Sequence, residues 1–295
     1  MKKGLTVKQK QLMTGWLFIL PGVLLIVIMS FVPMFKALYT SFMVGKGSNL
    51  SFGGLSNYMR IFKDKVFLQS IKNCFFYLII QVPVMLVFAL ILASLLNNPK
   101  LKYRGLFRTL IFLPCATSLV AYAIIFRSLF AQDGFINSVL IRFGILERGY
   151  EFLSHPTSAR IVIIIALIWR WTGYNMVFYL AGLQNIDYSV YEAARIDGAN
   201  TFQQFTKITC PLLKPTILLT AIMSTNGTLQ LFDESVNLTN GGPANASITM
   251  SHYIFNKAFQ GVPNFGYTSA MAFVILIMVG ILALIQLKVG DDKRD

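Results

Sequence analysis

The chain has 295 residues, of which 55% are hydrophobic and only 13% are charged, and its mean hydropathy is +0.62. A soluble domain needs more charge to cover its surface, so the composition excludes one and points to an integral membrane protein. The formal net charge of +14 is not a nucleic-acid footprint, because no basic stripe lies on a soluble domain and Lys and Arg flank membrane spans on the cytoplasmic side.

In chain order, Lys2, Lys3, Lys8 and Lys10 precede the first apolar stretch, at 16–35. It looks like a signal sequence at its front, but it is too long and has no convincing cleavage site, so it is expected to be retained. Five more stretches, at 75–96, 110–126, 161–183, 217–232 and 267–287, are long enough for a hydrocarbon core of ~30 Å, which takes roughly 17–25 helical residues. A backbone in lipid must satisfy its own hydrogen bonds, so all six are expected to be helices. The fold class is therefore all-α integral membrane. Pro21, Pro33, Pro83 and Pro114 are expected to kink these helices. The transmembrane domain covers 16–287, between a short segment at 1–15 and a tail at 288–295.

Charge sets the orientation. Residues 1–15, 97–109, 184–216 and 288–295 hold 14 Lys and Arg in 69 residues, whereas 36–74, 127–160 and 233–266 hold 11 in 107. The richer set is expected inside, which puts both termini and the 184–216 loop in the cytoplasm. The aromatic stretches 58–67 and 135–143 fall on the outside, as interfacial helices or as loops packed on the bundle. Cys74, Cys115 and Cys210 lie far apart in or beside apolar segments and read as packing residues, not as a disulfide or zinc framework.

The 184–216 loop has a pattern of its own. Ser189 and Glu192 fit the Ser-x-x-Glu box that starts a helix, and Thr201 and Gln204 fit a second box. Gly198 is placed to end the first helix in a left-handed conformation. Phe202, Phe205 and Ile208 give the second helix one apolar face, and Pro211 is expected to stop it. The expectation is helix, glycine turn, helix, with an exposed pair of Phe residues as a docking surface. Glu192 alone reads more readily as a helix cap than as a contact residue, and the Phe pair alone is compatible with packing on the bundle.

Glu192, Ala193, Ala194, Gly198, Ala199, Phe205, Ile208, Pro211 and Pro215 stand at the spacing of the EAA loop, and the stretch resembles that loop in binding-protein-dependent ABC importers. The likeness extends along the chain. Gly54-Leu55-Ser56-Asn57-Tyr58, Phe107-Arg108-Thr109-Leu110-Ile111-Phe112-Leu113-Pro114, Leu238-Thr239-Asn240-Gly241-Gly242-Pro243 and Phe265-Gly266-Tyr267 are similar to elements of sugar permeases of the maltose-type, type I fold. Unlike the larger maltose-type subunit, the chain has neither two additional N-terminal spans nor a large periplasmic insertion. The resemblance implies that the loop docks on a separate ATPase through Glu192, Ala193, Ala194, Asp197, Gly198, Ala199, Asn200, Phe202 and Phe205. It also implies a second permease subunit in a heterodimer, two copies of an ABC ATPase, an extracytoplasmic sugar-binding protein and a prokaryotic inner-membrane location. Transport is then by alternating access.

The chain has no Gly-x-x-x-x-Gly-Lys-Ser/Thr loop; Gly45-Lys46-Gly47-Ser48 has the wrong spacing. The chain is therefore expected to be a transport subunit with no cofactor of its own, and ATP with magnesium belongs to the partner ATPase. His155 and His252 lack a Ser or Cys partner by pattern, so no catalytic constellation is expected. Polar residues within spans are costly and mark function by default. Trp171, Tyr174 and Asn175 in the fourth span, with Ser224, Asn226, Gly227, Thr228 and Gln230 in the fifth, are the candidate substrate pathway: aromatic faces suit sugar C–H surfaces and amides suit hydroxyls. The alternative for these residues is helix–helix glue. Arg170 needs a partner, for which Asp233 or Glu234 is the candidate. A permease for a non-sugar solute, an ion channel or receptor, and a membrane enzyme are the competing readings.

Overall fold

The computed structural model describes residues 6–47, 49–98 and 101–290. Four continuous helices are long and apolar enough to cross a membrane: Val7–Ser41, Lys65–Leu96, Pro156–Gln184 and Phe265–Gly290. Two further helix pairs are together apolar enough for a crossing but are joined at a sharp bend. Arg104–Ala116 meets Leu119–Leu129 at 98°, and Thr201–Leu212 meets Lys214–Leu229 at 70°. With each pair taken as one crossing, the described residues carry the six expected spans.

The third span departs most from expectation. Of the four span prolines, Pro114 alone lies at a break. Its helix ends at Ala116, and Thr117 is fully extended (φ −74°, ψ 152°). The fifth helix runs Lys214–Leu229, about three residues earlier than the apolar run, because Pro215 is tolerated in a first helical turn. Pro211 likewise sits in the first turn of a short helix, Cys210–Leu212, so the chain turns after it, at Leu213, and not at Pro211. Pro33 follows a π turn at Val27–Phe31 and also occupies a first turn.

The chain forms two compact units, Met1–Lys63 with Lys257–Phe273, and Asp64–Asn256 with Val274–Asp295. In the first, Thr6 caps the opening helix by a reciprocal box with Gln9. None of the side chains of Val7–Ile26 is buried. An antiparallel hairpin follows, Met43–Lys46 paired with Asn49–Phe52. It was not expected, since its Gly-rich sequence shows no period of two, and it makes the fold mostly helical instead of wholly so. A short helix, Ser56–Ile61, follows; Phe135–Arg142, in the second unit, forms another, and these cover parts of the two aromatic stretches.

In the second unit Asp64 caps the Lys65–Leu96 helix through its Oδ1, which accepts from Val66 and Phe67 N–H. That helix packs along Pro156–Gln184 with small side chains at the contact: Ala89, Ala93, Ala159 and Ala166 are fully buried. Small residues let helix backbones approach where lipid supplies no hydrophobic drive. Gly173 carries this furthest, because a Cβ there would lie 2.0 Å from the Ile111 carbonyl oxygen. Two apolar clusters result. One gathers Tyr77, Tyr122, Phe126, Val162 and Leu167; the other gathers Ala93, Leu96, Met176, Tyr179 and Leu213.

Candidate functional site

The 184–216 loop is built as a capped hairpin of two short helices. The first, Tyr188–Ile196, starts at Asp187, whose side chain accepts from the Ser189 N–H at 2.9 Å. That backbone hydrogen bond holds the Asp187 carboxyl below the usual carboxylate range. The cap is therefore Asp187 and not Ser189, which leaves Glu192 exposed on the helix surface. The helix ends in a Schellman turn: Ala199 N–H donates to Ala194 O at 2.8 Å and Gly198 N–H to Arg195 O at 3.1 Å. Gly198 has φ +79°, as anticipated. The second helix, Thr201–Gln204, is opened by Asn200 in a reciprocal box with Gln203, one residue earlier than the Thr201–Gln204 expectation. Gln204 is engaged elsewhere, donating to Ala199 O at 2.8 Å.

Tyr191 and Thr209 hydroxyls meet at 3.0 Å and tie the two arms together. Of the two Phe residues, Phe202 is 74% exposed, while Phe205 packs on the cluster around Leu213 and Leu183. The exposed apolar partner at the tip is Ile196, 87% exposed, a residue missed because it reads as ordinary helix continuation. Ala193, Asp197 and Asn200 are exposed beside it and Ala194 and Ala199 half-buried. The result is a rigid, solvent-facing knob with Ile196 and Phe202 flanking Gly198.

The polar residues of the spans separate into two groups. Asn175 is buried, donating to Trp171 O at 3.0 Å and lying 3.6 Å from Met85 sulfur. Thr228 is buried too and donates to Gln81 Oε1 at 3.1 Å; Gln81 Nε2 lies 3.1 Å from the same sulfur. This chain of contacts links the second, fourth and fifth spans. The remaining candidates keep open faces. Trp171 and Tyr174 are half-buried and edge-on at 5.7 Å. Ser224 is half-buried, and Asn226, Gly227 and Gln230 are exposed, with Gln230 donating to Asn226. A cavity of about 300 Å³ opens beside Met223, Asn226 and Gln286. Gln286, outside the expected set, donates to Thr225 at 2.7 Å and leaves its Oε1 buried without a partner.

Arg170 does not find its hydrogen-bond partners where they were sought. Its guanidinium donates to the Thr117 carbonyl at 3.0 Å and to Pro114 and Cys115 carbonyls at 3.4 Å. These carbonyls lie at the end of the broken third span, where a cation also meets the negative end of the helix dipole; that of Pro114 also accepts from the Thr117 N–H and hydroxyl. The same group lies over the rings of Tyr122 (5.0 Å) and Trp171 (5.6 Å). Glu234 is 4% exposed. Burial, the nearby Asp233 charge adding to it and Arg170 opposing it, pushes its carboxyl up to about 7.

A raised carboxyl favours the folded state below its ordinary value and loses that contribution as pH rises through 7. Glu234→Gln is therefore expected to remove on the order of 3 kcal/mol of pH-dependent destabilisation between the ordinary value of 4.5 and about 7. Thermal unfolding of both proteins from pH 4.5 to 8 checks this, and parallel curves would contradict it. The buried His252, lowered by burial, works the other way and cancels in the comparison. Its Nδ1 meets Ser235 Oγ at 2.9 Å, and Ser235 donates to Ser247 O at 3.0 Å. Thr239 and Ser247 hydroxyls meet at 2.7 Å. Together these bonds knot the loop that carries Gly241, Gly242 and Pro243.

Residues 85–291 match the family of binding-protein-dependent transport system inner membrane components. The chain belongs to this family. The permease is 49% identical over 282 residues to the lactose transport system permease protein LacF of Rhizobium radiobacter, with 95% of each chain covered. It is 32% identical to the arabinooligosaccharides transport system permease protein AraP of Halalkalibacterium halodurans, covering 94% of this permease and 87% of that one. Its fold matches a chain of a bacterial ABC transporter involved in import of the acidic polysaccharide alginate. The TM-score is 0.84 at 23% identity, covering 97% and 98% of the two chains. The permease is thus a multi-pass membrane protein of the type I importer fold.

Proposed function

We propose that this permease subunit carries a carbohydrate of the oligosaccharide class into the cell, driven by ATP hydrolysis on separate chains. The observation that carries the reading is the capped knob at Asp187–Gln204: a stiff, exposed element between two spans, with an apolar tip, is what a motion-transmitting dock requires. The lactose and arabinooligosaccharide transport named for its relatives supports the substrate class. Glu192, Ala193, Ala194, Asp197, Gly198, Ala199, Asn200 and Phe202, with Ile196 added, form the docking face, and Phe205 fixes the knob to the spans. ATP and magnesium are held by two copies of the partner ATPase. A second permease subunit completes the pathway, and an extracytoplasmic binding protein delivers the sugar. The asymmetry of Lys and Arg supports cytoplasmic termini in a prokaryotic inner membrane.

In the pathway, Trp171 and Tyr174 offer ring faces, and Ser224, Asn226, Gly227 and Gln230 offer small or polar surface. Asn175 and Thr228 hold the walls in register. ATP favours one of two states of the spans through its differential contacts on the ATPase, and the knob passes that bias on. The test is Tyr174→Ala in the reconstituted complex. Sugar-stimulated ATPase activity should fall roughly tenfold at sub-saturating sugar, the scale of one lost aromatic contact, with basal activity retained. Equal loss of both activities would count against a place for Tyr174 in the pathway.

A further inference from the structure

The first compact unit holds a basic pocket that the transport pathway does not use. It has a volume of about 240 Å³ and is lined by Lys46 of the hairpin, Ser56, Asn57 and Arg60 of the following helix, and Asn264 ahead of the last span. Residues 1–63 and 257–273, the whole of this unit, contain no Asp or Glu. Lys46 and Arg60 therefore have no carboxylate within it, and both are exposed. Residues 36–63 add Lys36 and Lys63 to the positive charge of the unit.

The pocket is stiff. Asn57 donates to Ser41 O at 2.9 Å and to Met43 O at 2.7 Å. Gly47 N–H donates to Pro263 O at 2.9 Å. Gly266 lies so close to the hairpin that a Cβ would come within 2.0 Å of Met43 O. The Arg60 guanidinium is braced 4.2 Å above the centroid of Tyr267, which is fully buried in the first turns of the last span. Stacking fixes the plane of the group and leaves its N–H edge free for a carboxylate, the geometry that favours bidentate pairing. The Lys and Arg asymmetry of the sequence puts 36–74 and 233–266, the stretches that carry Lys46, Arg60 and Asn264, outside the membrane.

We propose that this pocket receives an acidic side chain of the extracytoplasmic binding protein, with Arg60 and Lys46 as its cationic walls. The proposal rests on the importer reading above. A carboxylate seated there bears on the Arg60–Tyr267 stack and so on the start of the last span, which makes the pocket a point where docking is felt by a membrane helix. An acidic partner is chosen because a unit with four such cations and no carboxylate of its own favours an opposite surface and speeds its encounter.

The experiment uses the permease with its partner subunit, ATPase and cognate binding protein in proteoliposomes, reading ATPase activity against binding-protein concentration. In Lys46→Glu/Arg60→Glu the half-saturating concentration should rise about tenfold or more at low salt, the scale of reversed interface charges. The wild type should weaken toward the variant as salt is raised. Lys46→Glu alone, on the exposed hairpin, should give a smaller shift and serves if the double variant fails to assemble. Unchanged half-saturation in an assembled variant overturns the proposal. So does a shift confined to the saccharide concentration needed at saturating binding protein, which would give the pocket to the cargo. A wild-type complex that no binding protein stimulates would instead sink the importer reading itself.

Discussion

One added methyl group at position 173 is expected to break the packing of the permease. An alanine Cβ there would lie 2.0 Å from Ile111 O, 2.7 Å from Ile111 C and 2.9 Å from Phe112 Cα. All three are backbone atoms, so no side chain can turn away. Relief requires the fourth span to retreat from the Arg104–Ala116 helix. Overpacking of this kind costs about 1–3 kcal/mol, sometimes more, and here the retreat also draws Arg170 from the carbonyls of Pro114, Cys115 and Thr117. The guanidinium, 5% exposed, would then lose its hydrogen-bond acceptors, at a further cost on the order of 1–3 kcal/mol. Gly173→Ala should therefore lower the melting temperature of the purified complex by several degrees and reduce its yield. Gly280→Ala, where nothing lies within 4 Å of the new Cβ, should do neither. Equal stability of the two variants would show that the third and fourth spans are not held as close as this.

Gly198→Pro is expected to abolish transport while leaving the protein in the membrane. Proline fixes φ near −65°, against +79° at Gly198, and removes the N–H that donates to Arg195 O. The Schellman turn cannot form, and Ile196 and Phe202 lose their common placement. The spans are untouched, because no other group lies within 4 Å of a Cβ built at Gly198. Sugar uptake by cells should fall to background with normal amounts of permease in the membrane. Normal uptake by this variant would remove the coupling role from the loop.

The spans and the knob were legible in the sequence because both are written locally, as apolar length and as a Gly between two capped helices. The caps themselves slipped by one or two residues. Asp187 and Asn200 stand beside Ser189 and Thr201, and pattern alone cannot rank neighbouring cap residues. The break of the third span was visible only as Pro114, since what stabilises an extended Thr117 in the bundle is Arg170, 53 residues away. Phe205 and Phe202 look equivalent by spacing, yet one packs on Leu213 and Leu183 and the other faces solvent. Likewise, Asn175 and Thr228 carry the same chemistry as Asn226 and Gln230, and only the placement of Gln81 and Met85 separates a wall from an open face.

The central claim is that the Asp187–Gln204 knob joins this permease to an ATPase. Purification in mild detergent from the native membrane, with mass spectrometry of what accompanies the chain, tests it most directly. The account predicts recovery of a second six-span permease and a phosphate-loop ATPase with the wild type, and loss of the ATPase from a Glu192→Lys/Gly198→Pro variant. Recovery of the intact wild-type chain without any ATPase, or an ATPase retained in full by the variant, would contradict it.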